Sequence, residues 1–67
     1  MKINEIRELT DNELRERELA ERETLTRMRL NHAITPLDNP LQIKEVRRTI
    51  ARLVTERRVR EVKQQQN

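Results

Sequence analysis

Residues 35–40, Thr-Pro-Leu-Asp-Asn-Pro, interrupt a sequence that otherwise favours helix throughout, and they decide the fold. They hold both prolines of the 67-residue chain, which contains no glycine. Each proline disfavours helical geometry at the residue before it, whereas the flanking stretches are rich in Glu, Arg and Leu, which are good helix formers. The pattern predicts two long helices, at about 10–34 and 40–63, joined by a short loop.

The first predicted helix has a well-marked beginning. Thr10 and Glu13 have the spacing of a capping box, in which the hydroxyl of the first residue accepts the amide of the second while the carboxylate reaches back. Leu9 and Leu14 are placed as a hydrophobic staple across this turn. These signals predict that the helix begins at about Thr10.

The second predicted helix begins at the end of the break, where Asn39 suits the N-cap and Pro40 the first helical position. Two helices of nearly equal length joined by a short loop favour an antiparallel arrangement. The predicted fold class is therefore all-α, an antiparallel two-helix hairpin that forms a single domain over residues 1–67. Residues 2–8 are expected to add a short helical turn, and residues 64–67 to fray.

Apolar residues form stripes along both predicted helices. One narrow stripe of the second helix should face the first helix and ends at Arg57; it consists of Ile43, Val46, Ile50, Leu53 and Val54. The first helix carries two stripes, one of Leu14, Leu25 and Met28 and another of Leu19, Leu30 and Ile34. A two-helix hairpin can cover only one of them, so the other is exposed or contacts a partner.

The composition excludes several classes of protein. The chain has no cysteine, no aromatic residue and one histidine, and it shows no nucleophile–base set, no glycine-rich phosphate loop and no metal-ligand cluster. A short hairpin has no room for a water-excluding pocket. We therefore expect no enzyme, no cofactor and no small-molecule substrate. No apolar run approaches the roughly 20 residues that span a bilayer and no signal peptide is visible, so a cytoplasmic location without a membrane partner is expected.

The net charge of +3 hides an uneven distribution. Residues 1–23 carry five basic and eight acidic residues, a net charge of −3, whereas residues 40–67 carry eight basic and three acidic residues, a net charge of +5. Arginine outnumbers lysine by 12 to 3. Because arginine makes bidentate contacts with phosphate, the basic second helix points towards a nucleic acid.

Five basic residues of the second helix lie on one arc beside its apolar stripe, here called the basic arc: Lys44, Arg47, Arg48, Arg52 and Arg58. Such an arc binds nucleic-acid phosphates, or it is a solvated surface whose charges pair within the helix. The candidate partners for such pairs are Glu45, Glu56 and Glu61. The arginine bias favours phosphate, and the lack of aromatic residues favours structured RNA or a duplex over stacked single strands.

Residues 39–53, NPLQIKEVRRTIARL, resemble the signature of the bacterial ribosomal large-subunit protein twenty-nine family. The opening MKINEIREL resembles the start of that family, and His32-Ala33-Ile34 running into Pro36-Leu37 matches one version of its loop. The resemblance covers about residues 1–60. Two positions depart from it, because Thr35-Pro36 stands where the family often has glycine and Thr26 occupies a commonly aromatic or apolar place.

The resemblance implies a structural protein of the large ribosomal subunit, active in translation and bound to the large-subunit ribosomal RNA beside the polypeptide exit tunnel. It implies ribosomal protein twenty-three as a neighbour, with chaperones and targeting factors for nascent chains nearby. The RNA-binding candidates that match the family motif are Lys44, Arg47, Arg48 and Arg52, with Arg7 and Arg29 from less distinctive motifs, and the basic arc adds Arg58. The alternative is a protein-only adapter that docks through the spare apolar stripe.

Overall fold

Both long helices form on either side of the proline-bounded break. The computed structural model describes residues 1–34 and 41–65, and in these ranges it contains α1 (Ile3–Arg7), α2 (Asp11–Ile34) and α3 (Leu41–Gln65). α2 packs against α3, and α1 packs on α3 as well. The start of α2 lies beside the end of α3, where Asp11 and Arg60 form an ion pair. The predicted antiparallel hairpin with a short N-terminal helix is therefore confirmed.

The beginning of α2 has the predicted capping box. The Glu13 amide donates to Thr10 Oγ1 at 3.2 Å, and the Thr10 amide donates to Glu13 Oε1 at 2.9 Å. Both hydrogen bonds lower the pKa of the Glu13 carboxyl below its ordinary value, and the one from the Thr10 backbone amide has the larger effect. Leu9 packs against the cluster that contains Leu14, as the staple predicts.

The ends of α3 differ slightly from the prediction. The helix begins at Leu41, and the predicted cap at Asn39 and Pro40 lies outside the described residues. It continues to Gln65, two residues past the predicted end at Lys63. The predicted boundary was too early because glutamine is a good helix former and neither glycine nor proline follows to stop the helix. Residues 66 and 67 of the predicted frayed tail lie outside the described residues.

The core is small and sits where the three helices meet. Its fully buried side chains are Ile6 of α1, Leu14 of α2 and Leu53 of α3. Ile50 is buried on the same face of α3. Because each of the three helices contributes one of the fully buried side chains, the short α1 completes a core that two helices alone would leave open.

The hairpin covers one of the two apolar stripes of α2, as predicted. Leu25 and Met28 are half-buried on the same stripe as Leu14. On the other stripe Leu19 and Leu30 are 62% and 59% exposed. Leu19 and Leu30 therefore lie on the side of α2 that faces away from α3. Overall the molecule is a rod of 50 × 17 × 16 Å, and none of its described helices is long and apolar enough to cross a membrane.

Candidate nucleic-acid interface

Arg57 and Arg60 of α3 face inward, because they continue the core-facing register of Leu53 by one and two helical turns. Arg57 Nε donates to Glu18 Oε1 of α2 at 3.1 Å, and Arg57 Nη1 donates to Glu61 Oε1 at 3.2 Å. The hydrogen bond that Arg57 donates to Glu18 is the main reason that the pKa of Arg57 is raised. Arg57 thus ends the apolar stripe by replacing a packing contact with an ion pair between the helices.

Glu18 is held between two guanidinium groups. Arg22 Nε donates to Glu18 Oε2 at 3.1 Å, while Arg57 reaches Oε1 from the opposite helix. Partial burial raises the pKa of Glu18, but the hydrogen bonds and the positive charges of Arg22 and Arg57 together outweigh that effect, and the pKa is lowered below its ordinary 4.5. Glu18 therefore remains ionised in this contact at neutral pH.

Arg60 fastens the segment between α1 and α2 to α3. Its Nη1 donates to Asp11 Oδ1 at 2.8 Å, and its Nη2 donates to the backbone carbonyls of Leu9 at 2.7 Å and Arg7 at 3.2 Å. The fourth hydrogen bond runs within α3, from Nε to Glu56 Oε1 at 3.1 Å. The hydrogen bond with Asp11 is the main reason that the pKa of Arg60 is raised. One planar guanidinium thus satisfies two carbonyls and two carboxylates at the helix junction.

These inward arginines change how the basic arc can be interpreted. Glu56 and Glu61 pair with Arg60 and Arg57, and not with any residue of the arc. The expected pairing of the arc by its own helix is therefore limited to one ion pair in the described chain, between Arg48 and Glu45 at 3.6 Å. Both side chains of that pair are exposed, and exposed pairs of this spacing contribute only about 0.3–0.5 kcal/mol.

Four residues of the basic arc have no ion pair with any described residue: Lys44, Arg47, Arg52 and Arg58. All four are exposed on α3. Arg52 donates from Nη1 to the carbonyl of Met1 at 2.7 Å, which leaves its charge uncompensated. The arc therefore presents a row of cations, and no described residue neutralises the charge of four of its five members.

Small side chains occupy the middle of this outward face. At about 100° per residue, Ala51 and Thr55 lie between Arg47 on one edge of the face and Arg52 on the other. Both small residues are exposed, and the Thr55 hydroxyl donates to the Ala51 carbonyl at 2.8 Å. This low surface leaves room for a phosphate backbone to approach the helix while arginines reach it from both sides.

The two further candidates have different places. Arg7 lines a groove between α1 and α3 together with Arg48 and Arg52, so the fold brings it to the basic arc. Arg29 lies exposed on α2, and no contact in the described ranges joins it to the arc. Lys63, which the sequence reasoning missed, lines the same groove. Its position eleven residues after Arg52, three turns along one face, is the signal that identifies it.

The sequence reasoning also missed the structural role of Arg60. The signal lay in the spacing of Leu53, Arg57 and Arg60, which keeps the core-facing register after the apolar stripe has ended. Within the described chain no cluster of histidine, cysteine, aspartate and glutamate could hold a metal ion. The described surface thus offers charge and shape for recognition, and the basic arc is its main candidate site.

Known proteins resemble the chain over almost its whole length. The model of the family described as Ribosomal L29 protein matches residues 4–60. Over 62 residues the chain is 54% identical to the large ribosomal subunit protein uL29 of Bacteroides thetaiotaomicron, which covers 92% of this chain and 95% of that protein. The large ribosomal subunit protein uL29 of Moorella thermoacetica is 48% identical over 65 residues, 97% of each chain. No solved structure matches the chain.

Proposed function

This chain belongs to the ribosomal L29 protein family, and from that premise we propose that its basic arc binds large-subunit ribosomal RNA beside the polypeptide exit tunnel. Membership makes the chain a structural constituent of the large ribosomal subunit that serves translation in the bacterial cytoplasm, as the resemblance had implied. The family is one of structural ribosomal proteins and not a class of enzymes. The contact with RNA and the position beside the tunnel are the parts that we propose beyond family membership.

The unneutralised charge of the basic arc is the observation that carries this proposal. The proposed phosphate contacts are Lys44, Arg47, Arg48, Arg52 and Arg58, together with Arg7 across the groove. Because Glu56 and Glu61 pair elsewhere and only Glu45 pairs with the arc, RNA phosphates are the anions that complete it. The protein then screens repulsion between RNA strands and holds their relative position, without reading base edges.

A protein contact on the opposite side of the hairpin accompanies the RNA contact. Leu19 and Leu30 of α2 are exposed and face away from α3, which supports a neighbour there. We assign this neighbour to ribosomal protein twenty-three, as the resemblance implies. Chaperones and targeting factors that act on nascent chains bind near the same tunnel exit. Docking through the spare apolar stripe, which the adapter hypothesis put forward, is then one contact of a ribosomal protein.

A salt titration tests the RNA contact. The purified chain is titrated with transcribed large-subunit ribosomal RNA at several salt concentrations. If the six proposed contacts each neutralise one phosphate, the logarithm of affinity falls against the logarithm of salt concentration with a slope of about −5. Arg47→Ala combined with Arg48→Ala should weaken binding and reduce the slope by about 2, since each lost phosphate contact removes about one unit.

A matched control tests whether RNA binding depends on the basic arc or only on the total positive charge of the chain. Arg15→Ala combined with Arg27→Ala removes two exposed arginines of α2 that have no ion pair with any described residue. This variant should keep most of the affinity and of the slope. A salt slope near zero, or an equal loss in both double variants, would contradict the assignment of RNA to the basic arc.

Tethered cleavage tests the orientation on the ribosome. The chain has no cysteine, so Thr55→Cys on α3 and Leu19→Cys on α2 each create one site for an iron chelate that cleaves nearby RNA. In reconstituted large subunits, we expect strong cleavage of RNA around the tunnel exit from position 55. From position 19 we expect weak RNA cleavage and a cross-link to ribosomal protein twenty-three. The reverse pattern would show that α2 faces the RNA.

A further inference from the structure

A groove with an apolar floor runs between α1 and the outward face of α3. Ile3 and Val59 line it, and Val62 continues the apolar surface one turn further along α3. These three side chains are 51%, 39% and 51% exposed, in the order named. Single exposed apolar residues are ordinary on a protein surface, but a contiguous set inside a groove marks a contact site.

The rim of this groove is positively charged. The basic side chains along it are Arg7, Arg48, Arg52, Arg58 and Lys63. The one carboxylate among the lining residues is that of Glu56, which is already paired with Arg60 at 3.1 Å. An occupant that fits must therefore combine an apolar strip with negative charge on both sides of it.

RNA satisfies only half of that requirement. Phosphates complement the rim, but they gain nothing from branched aliphatic side chains, and the chain has no aromatic residue on which a base could stack. A protein helix with leucine-like residues on one face and Asp or Glu on its flanks satisfies both halves. Helices lie in apolar grooves of this kind through side chains spaced three and four residues apart.

We propose that this groove binds an acidic amphipathic helix of a partner protein. The basic rim extends from Arg48 to Lys63, about 22 Å along α3 at 1.5 Å per residue, which accommodates a helix of about four turns. α1 forms the second wall, and its position is fixed by the hydrogen bonds from Arg52 to Met1 O and from Arg60 to Leu9 O. The rim shares four cations with the proposed RNA contact, so RNA and the helix exclude each other there. Val59, Val62 and Lys63 belong to the groove alone, and they distinguish this inference from the RNA contact.

The test uses the full chain and a defined probe. The probe is a fluorescent synthetic peptide of about 18 residues, or about 27 Å when helical, with leucine at helical spacing on one face and glutamate elsewhere. Binding is measured by fluorescence anisotropy. We expect it to bind the unmodified chain, and a peptide with lysine in place of glutamate, or a scrambled peptide of equal composition, to bind at least about tenfold more weakly.

Two double variants locate the bound probe. Val59→Ala combined with Val62→Ala removes the apolar floor, keeps every charge and introduces a better helix former at both positions. It should weaken the acidic peptide at least about tenfold, whereas Leu19→Ala combined with Leu30→Ala on the opposite surface should leave it unchanged. Circular dichroism checks that both variants keep their helical content.

Three results would overturn the inference. They are retention of peptide affinity by the Val59 and Val62 double variant, equal binding of the scrambled peptide, and equal binding of the lysine peptide. Duplex RNA is the competing occupant. If the same double variant lost RNA affinity as strongly as it lost the peptide, the groove would belong to the RNA interface, whereas unchanged RNA affinity supports an apolar floor that serves the helix alone.

Discussion

Leu53→Ala should leave about half or more of the isolated protein unfolded, although it changes only one side chain. Leu53 is fully buried between Ile6 of α1 and Leu14 of α2. Truncating a buried leucine to alanine removes about 2–5 kcal/mol, from lost transfer energy and the cavity left behind. A single core in a chain of this size rarely supplies more than about 3–5 kcal/mol. The substitution therefore removes most of the stability of the fold.

The expected change in population is large. A loss of about 3 kcal/mol lowers the folding equilibrium constant by roughly 100-fold, so a protein that is almost entirely folded becomes about half unfolded or worse. Loss of packing removes helix as well, because helices of this length gain little stability from propensity alone. Far-UV circular dichroism during a urea titration at about 15 °C, near the usual stability maximum, measures both effects.

Leu19→Ala is the matched control, since it deletes the same atoms from a side chain that is 62% exposed. Its free energy of unfolding should change by no more than about 0.5 kcal/mol. The reasoning would be refuted if Leu53→Ala cost less than about 1 kcal/mol, or if both variants were destabilised equally. Either result would mean that the cluster at the junction of the three helices does not hold the fold together.

Two further predictions concern the ion pairs between the helices. Because the folded-state pKa of Glu18 is lowered, its contribution to stability is present above its ordinary pKa of 4.5 and is lost as the pH falls through the lowered folded value. Urea midpoints measured between neutral and acidic pH should therefore decline below about pH 4.5. They should decline less in Glu18→Gln than in Glu16→Gln, whose carboxylate has no ion pair with a described residue; equal profiles would contradict this. Arg60→Lys keeps the charge but cannot make four hydrogen bonds in one plane. Amide exchange in α1 should accelerate while exchange in the middle of α3 stays unchanged, and unaltered protection of α1 would rule out the proposed fastening role.

The hairpin itself could be predicted because its signals are local. The prolines at positions 36 and 40 and the capping box at Thr10 act within a few residues of where they stand, and the apolar period decides which face of each helix is buried. The same period predicted that α2 has one stripe too many, and the exposed Leu19 bears this out. Local signals could not predict which contacts hold the short α1 against α3.

Arg60 shows why that part was out of reach. Its partners on the other elements are the carboxylate of Asp11 and the carbonyls of Arg7 and Leu9, which lie 49, 53 and 51 residues away in the chain. No periodicity within α3 reveals acceptors that come from another element. The sequence showed a surplus of arginine, and only the contacts separate the arginines that hold the fold from those that stay exposed on the basic arc.

This separation gives the acidic first half of the chain a specific role. Alternating charges along α2 are typical of a solvated surface, yet Asp11 and Glu18 reach across to Arg60 and Arg57. They help to hold those arginines inward, where Arg60 and Arg57 also engage Glu56 and Glu61 of their own helix. Most of the basic arc has no ion pair with a described residue because four carboxylates of the two helices pair with Arg57 and Arg60 instead. The positive charge of α3 therefore depends on how α2 is docked.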